Sequence, residues 1–163
     1  MDHLPEEEKL AEEKMKYGAF LMAYIKRCSN LVLHVHQDHM VSAGEICLAI
    51  EESLNYVRLL GVKAFFSMES ECDIDGKAAL LVYEVFQSVM ELFWKETDTL
   101  LITLECGRQL RFYMELCGSP KRLPEQFMEK ELTEISGRII NEREGNTEFI
   151  TLQIPSDGIQ EKK

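Results

Sequence analysis

The sequence predicts an α+β protein: an N-terminal antiparallel helical hairpin over residues 1–61, followed by a two-layer α/β sandwich over residues 62–163. Three observations predict it. Two helical periodicities precede residue 61, and Ser42-Ala43-Gly44-Glu45 between them has the form of a capping box. A third helical face (Ala79, Val82, Phe86, Val89, Phe93) follows. Alternating apolar runs come after that, Leu100 to Cys106 and Leu110 to Cys117, and Gly107 joins them as a hairpin. Helices segregated to one face of a sheet are the compact way to bury such faces.

The first helix is expected from Pro5 to about His39, with Glu6, Glu7 and Glu8 at the positive end of its dipole. Apart from Lys14, its apolar residues Leu10, Tyr17, Leu21, Tyr24, Cys28, Leu31 and Val35 recur at alternating three- and four-residue steps, a heptad seam. The second helix runs from about Ala43 to Leu60, with Gly61 as its stop. A short connection makes the two antiparallel. Val62, Ala64, Phe66 and Met68 then alternate with polar or outward positions as a strand. Asp73-Ile74-Asp75-Gly76 reads as a turn, with Asp75 capping a helix from Lys77 to Lys95. After the two long strands, Pro120 to Pro124 is a linker and Pro124 to about Leu132 a short helix. Arg138 to Arg143 and Glu148 to Ile154 form a last hairpin around Glu144-Gly145-Asn146. Gly158 to Lys163 is expected to fray.

The bulk properties exclude several classes. A net charge of −11 over 163 residues, with Lys and Arg scattered, argues against nucleic acid and anionic membrane surfaces. The five cysteines form no Cys-x-x-Cys pair and mostly sit in apolar runs, where a free Cys packs as a small hydrophobe. The expected compartment is therefore a reducing cytoplasm. No run of 18 apolar residues could span a membrane, and no membrane insertion is expected.

The segment from Tyr83 to Lys95, with the strand Thr99 to Leu104 and the run Leu110 to Gly118, resembles the ATPase domain of sensor histidine kinases, the GHKL fold. Tyr83, Gln87 and Lys95 keep the frame of that family's nucleotide-binding helix. The resemblance implies an ATPase-type α/β sandwich preceded by a hairpin that dimerises as a four-helix bundle. It also marks what is missing. The family's Glu falls on Ser88, which offers no titratable base. Its magnesium-holding Asn falls on Leu92, although magnesium needs oxygen ligands. The Asp that accepts a hydrogen bond from the adenine amino group falls on Leu116, ahead of Gly118, and leucine accepts none. The glycine-rich lid is absent between Ser119 and Glu131. The nucleotide-box positions Ser88, Leu92, Leu116 and Gly118 are thus degenerate, and neither cofactor nor metal is expected. The family's phosphoacceptor His-Asp pair falls near Tyr24-Ile25, and neither residue serves.

The histidine run Leu31-Val32-Leu33-His34-Val35-His36-Gln37-Asp38-His39 matches, as a string, the His-x-His-x-Asp-His signature of metallo-β-lactamase-fold hydrolases, whose metals activate water. The helical seam that contains it argues otherwise. His34 and His36 on a helix point about 200° apart, and no histidine lies beyond His39. A hydrolase is the remotest reading. A second resemblance is to the sporulation phosphotransferase B family, a histidine-bearing hairpin coupled to a kinase-like domain that no longer binds ATP. On that reading His34 is the phosphoacceptor candidate. The basic group Arg108, Arg111, Lys121 and Arg122 reads as a strand face or a partner surface.

The expected function is non-catalytic: a regulatory or scaffolding protein of a two-component-like pathway, acting by protein–protein contact. The expected partners are a second copy of the chain and a response regulator or kinase-like protein. The candidate dimer interface is Leu21, Tyr24, Cys28, Leu31 and Val35.

Overall fold

A computed structural model describes residues 5–37, 40–118, 120–155 and 159–161. Helix α1 (Glu6–His36) begins after Pro5, with three glutamates in its first turn. It ends at His36, with Gln37 as its cap, short of the expected His39. A strand then intervenes that the sequence pattern hid: β1 (Met40–Ser42) precedes α2 (Ala43–Leu59). Ser42 ends the strand and caps the helix, its hydroxyl accepting from the Glu45 N–H at 3.2 Å. Gly61 stops α2 with φ of 99°, in the region open to glycine.

Next come β2 (Lys63–Met68), β3 (Cys72–Asp75) and α3 (Gly76–Phe93), closed by a 3-10 turn at Trp94–Glu96. The expected turn at Asp73–Gly76 is instead β3, with Cys72 and Ile74 buried on one side. Asp75 starts α3 without a side-chain capping bond. The long hairpin β4 (Thr97–Glu105) and β5 (Gln109–Gly118) follows, then α4 (Glu129–Glu134), and the hairpin β6 (Arg138–Glu144) and β7 (Thr147–Pro155). The tail expected to fray contains β8 (Ile159–Glu161), which pairs antiparallel with β3.

The main sheet has the order β2-β4-β5-β7-β6, and β1, β3 and β8 make a small second sheet. Among the described residues only β2 and β4 pair in parallel, and β3 with α3 supplies the crossover between them. The period of two turns Leu100, Ile102, Leu104, Phe112, Met114, Leu116, Ile150 and Leu152 to one face, where all are buried. Helices α2 and α3 cover that face. The hairpin α1–α2 is antiparallel and tied by an Arg27–Glu52 ion pair.

Helix α1 packs back on α3. Tyr17 stacks on Trp94 with ring centroids 5.8 Å apart, and Tyr24 stacks on Tyr83 at the same separation. One cluster of buried residues runs from Phe20 and Leu31 on α1 through α2 and α3 to Ile154 on β7. Among the described residues no helix is long and apolar enough to cross a membrane. Two cysteines depart from the free-thiol expectation: Cys72 and Cys106 form a disulfide, and Cys28, Cys47 and Cys117 are free. The partners lie 34 residues apart, and only the fold brings the start of β3 to the end of β4.

Candidate functional site

The candidate nucleotide-box positions are carried by α3 (Ser88 and Leu92) and by the end of β5 (Leu116 and Gly118). Ser88 and Leu92 lie on the least buried side of α3, together with Glu84 and Glu91. Leu116 is fully buried on the inner face of β5. Gly118 ends that strand at φ of 150°, and a Cβ there would lie 2.2 Å from the Glu96 carbonyl oxygen. That glycine serves a close approach of two backbones, opposite Thr97 in the ladder. Its cradle is filled by the protein itself.

A carboxylate does stand beside this position, one strand over. The register sets Leu116 opposite Glu148 on β7, and Glu148 is fully buried. Its two oxygens are engaged within the chain. Arg143 Nη1 donates to one at 3.1 Å, and Asn141 Nδ2 donates to the other at 2.6 Å. Arg122 Nε lies 3.9 Å away, and Arg143 also donates to the Pro120 carbonyl at 2.6 Å. A buried charge is tolerated when it is paired and hydrogen-bonded in this way. The cluster fastens the linker at residues 120–122 to the inner face of the sheet beside Leu116.

Sequence reasoning did not single out Glu148. The signal was present: it shares the period of two with Ile150, Leu152 and Ile154, so it faces inward among them. Of the basic group, Arg122 joins this cluster, while Arg111 lies exposed on the sheet's other face.

The polar groups on α3 are shifted by burial. Burial, and then the charge of Glu131 on α4, raises the Glu84 carboxyl above its ordinary range. Burial alone raises Glu91. Tyr83 is raised by burial, and its hydroxyl pairs with Ser53 at 2.8 Å. Gln87 is buried, and neither its amide nitrogen nor its amide oxygen has a hydrogen-bond partner among the described residues.

A concavity of about 680 Å³ opens between residues 122–133 and β6, lined by Arg122, Phe127, Leu132, Arg138, Ile139 and Asn141 among others. None of Ser88, Leu92, Leu116 or Gly118 lines it. Leu92 instead borders a cleft of about 370 Å³ with Tyr17 and Trp94. The leucine side chains at two of the four positions carry no oxygen.

The seam of α1 turns toward the chain's own core. Leu31 is buried there, and Leu21 and Tyr24 pack against the same cluster. Cys28 and Val35 are half-buried, and the Cys28 thiol lies 3.8 Å from the Tyr24 hydroxyl. His34 and His36 belong to the last turn of α1, two helical positions apart. Their side chains, with Asp38 and His39, lie outside the described residues.

No protein-family model matches the chain, and no curated protein does. Solved structures do. The histidine kinase domain of the Erythrobacter litoralis blue-light activated kinase superposes with a TM-score of 0.58 at 13% identity, covering 81% of this chain and 79% of that one. An Acinetobacter baumannii histidine kinase gives 0.57 at 9% identity, covering 83% and 78%. A bacterial phosphotransferase gives 0.56 at 11% identity, covering 93% of this chain and 98% of its own. At such identities the likeness is one of fold. The chain is histidine kinase-like in fold, a helical hairpin joined to an α/β sandwich of the kinase ATPase type.

Proposed function

We propose that the chain is a non-catalytic regulatory or scaffolding module of a two-component-like pathway, derived from a sensor histidine kinase and acting through protein contact. The observation that carries this is the chemistry of the nucleotide position. On the resembled frame Leu92 and Leu116 fall where a metal ligand and a base acceptor are needed; Gly118 is closed by the Glu96 carbonyl, and the neighbouring carboxylate, Glu148, is held by Arg143 and Asn141. An ATP site needs those groups free to face the ligand. The partners in keeping with this reading are a second copy and a response regulator or kinase-like protein. Calorimetric titration with ATP and magnesium tests it. No heat of binding at millimolar nucleotide is expected, and micromolar affinity overturns the reading.

A second reading is favoured by one observation: the phosphotransferase neighbour matches this chain over nearly its whole length and its own. On that reading His34 accepts a phosphoryl group. Incubation with a phosphorylated response regulator should then label the chain, and His34→Ala should abolish the label. An unlabelled wild-type chain removes this alternative.

A further inference from the structure

The main sheet ends in β2 on one side and β6 on the other, and the chain treats the two edges differently. At β2 a side chain covers the edge. Arg58 on α2 donates from Nε and Nη2 to the Ala64 carbonyl at 3.0 and 2.9 Å, and its guanidinium is held in turn by Glu51 and Asn55. At β6 nothing among the described residues does so. Gly145 and Asn146 form a two-residue loop between the paired Glu144 and Thr147, with Gly145 at φ of 60°. In such a hairpin the closing pair exchanges both backbone bonds, and by alternation Arg138, Ile140 and Glu142 also bond to β7. Ile139, Asn141 and Arg143 therefore aim their backbone N–H and C=O groups away from the sheet. No hydrogen bond within the described residues reaches those groups. The segment over residues 122–133 stands off the strand and leaves the concavity of about 680 Å³ beside Ile139 and Asn141. A bare edge of this kind is a template for another strand.

We propose that a second copy of this chain pairs with the β6 edge, β6 against β6, so that the two main sheets become one. A two-fold axis that relates an edge to itself sets the strands antiparallel. The sequence of β6, Arg-Ile-Ile-Asn-Glu-Arg-Glu, selects both the occupant and the register. With the axis beside Ile140, Arg138 stands opposite the partner subunit's Glu142, and Ile140 stands opposite the partner subunit's Ile140. Ile139 and the partner subunit's Asn141, whose backbones both face the new strand, then exchange hydrogen bonds.

No like charges meet in this register. Arg138 and Glu142 are both exposed. Arg138 donates only its Nε, to Gln153 at 3.1 Å, and no ion pair among the described residues occupies either side chain. The next register that keeps the backbone bonds has its axis beside Asn141, and it sets Ile140 against the partner subunit's Glu142. One further step sets Glu142 against the partner subunit's Glu142. Charges on an edge strand keep foreign strands away. Their alternation in sign along β6 admits this one, since opposite charges across a strand pair attract and like charges repel. The proposal rests on the reading of the chain as a contact module and names one of its partners and the surface used.

Light scattering on the full chain after size exclusion tests it. The wild type should have twice the 18.9 kDa of one chain. Arg138→Glu should have the single-chain mass with an unchanged far-ultraviolet spectrum, and adding Glu142→Arg should restore the double mass. A monomeric wild type, a dimer that Arg138→Glu leaves intact, or a charge-swapped chain that stays monomeric overturns the proposal.

Cross-linking keeps the pairing testable if Arg138→Glu does not fold. Opposed side chains of a pair without backbone bonds between them lie close enough for a disulfide. Mild oxidation of Ile140→Cys should therefore yield a 140–140 disulfide between two chains, identified by peptide mass, and its absence overturns the register. Nucleotide binding at micromolar concentration would remove the contact-only reading and leave these masses unchanged, so the two ideas fail separately.

Discussion

At Gly118 two backbones meet where a side chain would otherwise stand, so the smallest addition has a large effect. Gly118→Ala sets a methyl group 2.2 Å from a carbonyl oxygen at a φ of 150°. We expect a loss on the order of 3 kcal/mol in urea unfolding; an unchanged midpoint would mean that the β4–β5 ladder yields easily there. Gln87 predicts the opposite sign. Its amide is buried with no hydrogen-bond partner among the described residues, so Gln87→Leu should stabilise the protein by about 1 kcal/mol or more. A destabilised variant sinks the claim that the amide is unsatisfied. The candidate site was legible in one direction only. Ser88, Leu92 and Leu116 read as losses only on the expectation that the helix and strands keep the resembled family's frame. That Glu148 stands beside Leu116 was not visible, because the two lie 32 positions apart and the β5–β7 register alone brings them side by side.

Among the elements, the long periodic ones were readable and the short ones were not. Helices α1, α2 and α3 and strands β2, β4, β5, β6 and β7 carry enough repeats of 3.6 or 2 to declare themselves. Strands β1, β3 and β8 have three, four and three residues, too few for a period to show, and pairing with each other makes them strands. The inward turn of the α1 seam was equally hidden, since a heptad shows that a face is covered without saying by what. Helix α3 also makes a pH-dependent contribution. Burial raises the folded-state carboxyl pKa of Glu84 and Glu91 above the ordinary 4.5. The folded state therefore holds these protons more tightly than the unfolded chain. The stabilisation is fully present below that value and is lost as pH rises through the raised values. Glu84→Gln with Glu91→Gln should flatten the fall in urea midpoint on the alkaline side of pH 4.5, relative to wild type. Parallel pH profiles for the two proteins would show that burial does not act on these carboxyls.

The molecule as a whole is joined by one core and one covalent link. The Cys72–Cys106 disulfide spans 34 residues and connects the small sheet to the end of the main one. A closed loop of that length restricts the unfolded chain, so reduction should lower stability by about 3 kcal/mol. The measurement is urea unfolding with and without reductant, and Cys72→Ser with Cys106→Ser should make the curve indifferent to reductant. A wild type equally indifferent would mean that the link contributes nothing to the folded state. The small sheet also has a temporal consequence. Its central strand, β3, has neighbours drawn from the stretch before α2 and from beyond the last strand of the main sheet. During synthesis β3 must wait with one edge bare until the whole β6–β7 hairpin has left the ribosome. That edge is therefore the last to close as the chain is made and, with only three paired positions, the first from which amide protons should exchange.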